Sequence, residues 1–591
     1  MISATSWVPR GFASEFPEKY ELDDEEMARI EEMAKLHLGE LNPDEDDEQN
    51  EDEEEGENED VKTSQLKSEI EIDDDLKEYD LEHYDDDPVD ENGEPITMFP
   101  GLTNTGATYV KTKKTKSGDE DGDEELDDAE DEEGDHYLTL PTEKDTAEEK
   151  QELQVYPTDN MILATRTEDD VSYLDVYVYD DGAGAPSGSA EEEGDKLDPD
   201  VAKGMVRDNN LYIHHDLMLP AFPLCVEWMS FKPQAANDES NVGNYAAIGT
   251  FDPTIEIWNL DSIDKAFPDA ILGEEEFEAS KASSGGKSKN KKKKKKKTTH
   301  VTTHHTGPVL SLSHNSIFRN VLASTSADHT VKLWDLTSCT AVRSLQSIHS
   351  NKEVSSSQWF NSGAASAADS GSVLLTGGYD AQCCVSDVRI DDEKSMSKRF
   401  SIGTQEDIES VCWSAQDPIF YAGTDQGNVY AFDARSEAKP LWTLHAHDSG
   451  ISSLQSNRFI DGMLTTGAMG DKLVKLWKVE NGKGPSMVLS RDFGCGNVLS
   501  TGFAPDIEVA GNLVVGGSSA GLKMWDSLSN RTVRHSFKDG LKQLQKRARE
   551  EAKAAGRASR IARKYQEGFQ ETVMQAETGG AEEEEEVEEE D

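Results

Sequence analysis

Short strand-like segments recur along this chain roughly every 45 residues, and that spacing leaves few folds open. Seven of them share one pattern: SYLDVYVYD (172–180), TIEIWNLD (254–261), TVKLWDLT (330–337), QCCVSDVR (382–389), NVYAFDAR (428–435), LVKLWKVE (473–480) and GLKMWDSL (521–528). Their anchor positions are Tyr179, Trp258, Trp334, Ser386, Phe432, Trp477 and Trp525, the last five separated by 52, 46, 45 and 48 residues. A second series runs out of phase: ISATSWV, LCVEWMSF, VLSLSHN, VSSSQWF, ESVCWSA, ISSLQSN and VLSTGFAP. It alternates small and apolar residues, as a strand wedged near a crowded axis should. A third series, from MILATRT to LVVGGSS, falls between the two. Seven copies of each element predict an all-β chain folded as a seven-bladed β-propeller with four-stranded blades.

Tryptophan placement gives the pattern a physical cause. Trp7, Trp228, Trp359 and Trp413 lie in the second series, and Trp258, Trp334, Trp477 and Trp525 in the anchor series. Only Trp442 lies elsewhere, in LWTLHAH, which reads as an outer strand. A lone blade cannot cover both faces of its sheet, so large flat side chains must fill the wedge between neighbours. Each buries roughly 150–250 Å², and at about 25 cal/mol per Å² that amounts to several kcal/mol before entropy is subtracted. Ser386 breaks the series, so its blade is expected to pack less well.

Polar residues follow the same period. Asp328, Asp380, Asp425 and Asp471 precede the anchor strands at a turn, where a carboxylate can accept backbone N–H bonds. His305, His349 and His447 sit upstream, near the starts of inner strands. The set His305, Ser326, Asp328 and Trp334 resembles the structural hydrogen-bond tetrad of WD-repeat proteins. Ser, His and Asp together also describe a hydrolase triad. Recurrence in successive repeats, and the lack of a G-x-S-x-G nucleophile turn, favour the structural role.

Charge is distributed unevenly. The 591 residues carry 121 acids against 58 bases, a net charge of −63, yet residues 1–150 alone hold 54 acids and 13 bases. Nine more acids fill the last ten positions, so the remaining body is near-ordinary in charge. No apolar run of 18 or more residues points to a membrane span, and the N-terminal segment does not read as a signal peptide. The six cysteines form no Cys-x-x-Cys pair, which fits a reducing compartment and neither a disulfide framework nor a zinc site. The adjacent Cys383 and Cys384 are expected on opposite faces of one strand. The residues give no reason to expect a cofactor, a small-molecule substrate or a membrane partner.

Three segments interrupt the repeat. Residues 1–10 read as the inner strand of the first blade, cut off by an acidic insertion at 11–154. That insertion is expected to be mostly disordered, because it cannot bury enough apolar area to offset chain entropy. Within it, 22–38 has helical spacing and acids in its first turn, predicting one short helix; LKEYDLEHYDDDP (76–88) reads equally as a docking motif or a solvated linker. The propeller is expected over 155–540, broken by a Lys-rich loop at 262–306. There Lys287, Lys289, Lys291, Lys292, Lys293, Lys294, Lys295, Lys296 and Lys297 suit a nuclear address or contact with nucleic-acid phosphates. A basic helix is expected over 541–568, with Leu541, Leu544, Ala548 and Ala552 on one stripe. Its cations, Arg547 and Arg549 among them, would suit nucleic acid or an acidic protein surface. Residues 569–591 read as an acidic disordered tail. Ser68, Ser117 and Ser189 lead into acidic residues and are candidate phosphorylation sites.

Several segments together resemble the periodic tryptophan protein 1 family of WD-repeat proteins: the leading strand with Trp7, EYDLEHYDD, YPTDNMILATRTEDD, IHHDLMLPAFPLCVEW, the lysine loop and RNVLASTSADHTVKLWDL. The order and placement of both insertions carry more of the resemblance than any Trp-Asp dipeptide. It implies a non-catalytic assembly factor of the nucleus and nucleolus. Such a factor would act in ribosomal RNA processing and maturation of the large ribosomal subunit precursor, with pre-ribosomal RNA and neighbouring assembly factors as partners. The alternative it implies is a chromatin- or histone-binding regulator of ribosomal RNA gene transcription, the acidic stretches holding basic histone tails.

Overall fold

The computed structural model describes residues 1–20, 153–182, 209–274, 301–361, 371–403, 406–415, 418–436, 439–480, 482–519, 521–554, 559–565 and 573–575. Its strands form seven antiparallel four-stranded sheets. Blade 1 joins Ile2–Val8, Asn160–Glu168, Val171–Asp180 and Asn210–Leu219. Blades 2 to 6 follow in chain order, with inner strands Pro223–Met229, Val309–His314, Val354–Trp359, Ile408–Trp413 and Ser453–Ser456. Blade 7 joins Val498–Phe503, Asn512–Gly517, Lys523–Asp526 and Val573–Gln575. The fold is the seven-bladed propeller that the repeat arithmetic predicts.

The core is divided into seven clusters, one at each blade junction. The anchor residues face backwards around the ring. Trp258 packs with blade 1 residues such as Leu174, Trp334 with Ile257 of blade 2, Trp477 with Val429 of blade 5, and Trp525 with Leu476 of blade 6. Tyr179 does the same against blade 7, beside Val514 and Met524. At the junction of blades 3 and 4 the small Ser386 is buried and exchanges a 2.7 Å hydrogen bond with Ser397. Met396, from the one-turn helix α1 (Glu393–Met396), belongs to the apolar cluster there. Cys383 and Cys384 do lie on opposite faces, in the clusters towards blades 5 and 3.

Three expected boundaries shift. Residues 573–575, placed by composition in a disordered tail, are the outer strand of blade 7; the alternation around Val573 and Met574 was masked by the glutamates that follow. Within the span 262–306, Ser262–Ile263 pairs in parallel with Glu18–Lys19, and Ala270–Leu272 is the outer strand of blade 2. Over 541–568 the described residues hold two helical pieces, not one, α3 (Lys538–Ala554) and α4 (Ile561–Lys564), and a further short helix, α2 (Arg531–Ser536), precedes them. The helix expected at 22–38 lies outside the described residues, and among the described residues no helix is long and apolar enough to cross a membrane.

In each antiparallel blade the first-to-second and third-to-fourth turns share one end, while the second-to-third turns and the inter-blade crossovers share the other. The first end of blades 6 and 7 is covered by α3. Its Leu541, Leu544 and Ala548 pack into one cluster with Ile460, Ile507, Ala510 and Phe537.

Candidate functional site

At the opposite end, histidines from the crossovers meet carboxylates from the turns. His305 Nδ1 lies 2.9 Å from Asp328 Oδ2, and its Nε2 lies 2.7 Å from Ser324 Oγ. Trp334 Nε1 donates to the same Ser324 Oγ at 2.8 Å. The proton path is therefore fixed. Indole N–H donates to Ser324, the hydroxyl donates to Nε2, and Nδ1–H donates to the carboxylate. Blade 6 repeats the set: His447 Nδ1 to Asp471 Oδ2 at 2.8 Å, Nε2 to Thr466 Oγ1 at 2.9 Å, and Trp477 Nε1 donating to Thr466 at 2.9 Å.

Electrostatics agree with a neutral ring against an ionised carboxylate. Burial lowers the pKa of His305 and His447, and outweighs the pull of Asp328 and Asp471. Asp328 is penalised by burial, but bonds from His305, Thr330 and the Thr306 N–H hold it below the ordinary carboxylate range. Asp471 is depressed for a like reason, by His447 and the Leu473 N–H.

Ser326, expected as the hydroxyl of this set, does a different job. It shares a face with Ser324 but stands at the turn, donating to Gly307 O at 3.0 Å and accepting the Asp328 N–H at 3.1 Å. Blade 4 keeps His349, Asp380 (2.9 Å) and Thr376 (2.8 Å) without an indole. In blade 5, Asp425 has no histidine; it accepts the Asp407 N–H at 3.1 Å, and Glu406 takes the bonds from Thr424 and Asn428. Trp258 turns to Glu256 Oε2 at 3.0 Å, because Ile248 fills the place of the bridging hydroxyl. Trp525 is fully buried in the junction with blade 6. These constellations sit inside blades, where they tie turn to crossover.

The bridging hydroxyls had a signal in the sequence. The fourth residue of VLASTS, VLLTGG and MLTTGA is Ser324, Thr376 or Thr466, and in IFYAGT, whose blade lacks the histidine, it is Ala422. The lysines two residues before the anchors were also missed. Lys332 Nζ is buried and donates to Val301 O at 2.8 Å, and Lys475 Nζ donates to Ala446 O at 2.8 Å, each holding the crossover that delivers the histidine.

A second missed set closes the ring. Asp181 receives Arg10 on one oxygen and Arg560 on the other, both at 2.7 Å. Burial disfavours its charge, but the two guanidinium groups hold the pKa low. Glu508 accepts the backbone N–H groups of Arg560 and Ile561 at 2.9 and 3.1 Å, and Asp526 receives Lys564 at 2.9 Å and the Tyr565 hydroxyl. Residues 559–565 thus clasp the seam between blades 7 and 1.

Arg547 and Arg549 lie on α3, both exposed, but they are not equivalent. Arg547 pairs with Glu551 at 2.8 Å and lies over Phe459, whereas Arg549 donates to Ala562 O at 3.3 Å. Lys287 to Lys297 and Ser68, Ser117 and Ser189 fall outside the described residues. Among the described residues no group of three or more His, Cys, Asp or Glu side chains is placed to hold a metal ion.

Comparison with known proteins agrees with the architecture. The family described as WD domain, G-beta repeat matches residues 296–335 and 438–478, the two repeats with a complete tetrad. The chain is 56% identical over 99% of its length to Periodic tryptophan protein 1 of Saccharomyces cerevisiae, covering 98% of that protein. It is 34% identical to an uncharacterized WD repeat-containing protein of Schizosaccharomyces pombe, over 91% of each chain. A periodic tryptophan protein 1 homolog of Drosophila melanogaster is 28% identical over 84% of this chain and 88% of its own.

Proposed function

The chain belongs to the periodic tryptophan protein 1 family of WD-repeat scaffolds, and on that premise we propose that it is a non-catalytic assembly factor of nucleolar ribosome production. In this reading it works in the nucleus and nucleolus on ribosomal RNA processing and maturation of the large ribosomal subunit precursor. Its partners are pre-ribosomal RNA and neighbouring assembly factors. The observation that carries the reading is likeness along 99% of the chain, interruptions of the propeller included. The chemistry is compatible: the repeated Ser/Thr, His and Asp sets are consumed in holding turns, and the ring leaves loop-lined faces for macromolecules. Fold alone would not specify this role.

Sedimentation of nuclear extract tests it. The protein is expected to travel with the precursor of the large subunit; protein found only at the top of the gradient overturns the proposal. The excess of acids in residues 1–150, 54 against 13 bases, favours histones as a second reading. Pull-down on histone tail peptides against ribosomal RNA separates the two.

A further inference from the structure

Helix α3 sorts its charges by direction. At about 100° per residue, the buried Leu541, Leu544, Ala548 and Ala552 define one face. Lys538, Lys542, Lys546, Arg549 and Lys553 follow at intervals of 4, 4, 3 and 4 residues. They fall within roughly 80° of arc, all exposed. Asp539, Glu550 and Glu551 are kept to the flank beyond, where Glu551 neutralises Arg547. The result is a straight row of one cation per turn, about 22 Å long at a rise of about 1.5 Å per residue.

Little within the fold uses that row beyond the bond of Arg549 to Ala562 O at 3.3 Å. Lys538, Lys542 and Lys553 take part in no ion pair among the described residues. Lys546 reaches Glu550 only at 4.0 Å, with both side chains at least 70% exposed, a contact of little worth in water. A solvated helix commonly intersperses its signs; here a chain of net charge −63 aligns five positive groups. No apolar side chain stands among them. A protein partner, including the acidic residues 582–591 of this chain, would lack the apolar anchors on which protein interfaces depend, whereas a polyanionic backbone needs none.

We propose that this row on α3 is a binding site for the phosphodiester backbone of RNA. The inference rests on the assembly-factor reading for its biological setting and names the surface through which such a factor would hold RNA without reading its sequence.

The test compares the full chain with a K538Q/K542Q/K546Q/K553Q variant. All four positions are exposed, so the thermal midpoint should not move. Fluorescence anisotropy follows binding of a labelled mixed-sequence RNA of about 20 nucleotides, and of a labelled polyglutamate peptide, between about 50 and 200 mM salt. The lysines at 287–297 are present in both proteins, so the difference isolates the helix. The variant is expected to bind RNA at least tenfold more weakly at low salt. Its slope of log K against log salt should be shallower by about 3, at roughly 0.7 per phosphate contact for a single strand. An unchanged RNA slope overturns the proposal, and so does a loss confined to the polyglutamate probe, which would mark a dock for acidic protein. If the RNA slope changes as expected but wild-type protein does not sediment with the large-subunit precursor, the assembly-factor reading fails alone. If it does sediment and the slope is unmoved, this inference fails alone.

Discussion

The indole N–H of Trp7 donates to the carbonyl oxygen of Gly502 at 3.0 Å, joining residues 495 apart in the chain. Trp359 makes the same bond to Ser313 O at 3.0 Å, and Trp413 to Gln358 O at 3.1 Å, each reaching the inner strand of the preceding blade. The junction of the first and last blades is therefore built like an interior junction. No strand is exchanged across it: blade 1 takes its inner strand from residues 2–8 and blade 7 its outer strand from 573–575.

Removing the ring at this junction should cost as much as removing it at an interior one. Trp7→Ala and Trp413→Ala are each expected to lower stability by about 3–5 kcal/mol, by transfer and cavity terms together. Trp7→Phe, which keeps most of the apolar area but leaves Gly502 O without its donor, should cost about 1–3 kcal/mol. Equilibrium denaturation measures both. A Trp7→Ala variant as stable as wild type would show that the seam does not depend on this strand.

The clasp at Asp181 makes a stronger demand. Asp181→Ala strands two buried guanidinium groups, Arg10 and Arg560, and is expected to cost about 3–5 kcal/mol. Hydrogen exchange should show the protection of blades 1 and 7 falling before that of blades 3 to 5. Ending the chain after Ala554 should produce the same regional pattern, because it removes Arg560, Lys564, Tyr565 and the outer strand of blade 7.

The tetrad separates two neighbouring serines. Ser324→Ala leaves both the His305 ring nitrogen and the Trp334 N–H without their shared partner, and should cost about 2–4 kcal/mol. Ser326→Ala, at the turn, removes one bond to Gly307 O and one from the Asp328 N–H, and should cost about 1–2 kcal/mol. Thermal unfolding of the two variants should rank them in that order.

Gly427 occupies a left-handed turn with φ +76°, and a Cβ there would run into the carbonyl oxygen of His447. Gly427→Ala should lose at least about 2 kcal/mol, from backbone conformation and displacement of the crossover together. Ala381, at φ +59° in the corresponding turn of blade 4, marks the contrasting site. There Ala381→Gly should be neutral or mildly stabilising in the folded state.

His314 carries a pH dependence that a variant can isolate. Burial pushes its pKa down to about 4, while its Nε2–H donates to Arg319 O at 2.8 Å. The unfolded chain takes up a proton near pH 6.5 that the folded chain refuses until about pH 4, so stability falls as pH drops through that window. The loss attributable to this ring is on the order of 3 kcal/mol. His314→Gln should be less stable at pH 7 yet lose less on acidification; parallel stability–pH curves for the two proteins would refute the assignment.

Much of this architecture is legible before any coordinates. Six indole or aromatic anchors, with Ser386 in the place of a seventh and the last five positions 45 to 52 residues apart, and a second tryptophan series out of phase define blade number and strand order, because wedge-filling side chains recur at the same place in successive sheets. The histidine and aspartate columns are equally readable. Ser324 was harder to assign than Ser326, since both share a strand face and only the depth of the His305 ring selects between them. The C-terminal strand at 573–575 was hidden because three residues between acidic and basic low-complexity text have too short a period to register.

What the sequence determined by itself rests on large side chains recurring in register: the fold, the blade junctions and the positions that must be large. What only the tertiary structure decided is everything that occurs once. Arg10, Asp181, Glu508 and Arg560 come from segments up to 550 residues apart, and no local pattern predicts that they meet. Their role exists because closing a ring without exchanging a strand leaves one seam whose buried charges must find one another across the full length of the chain.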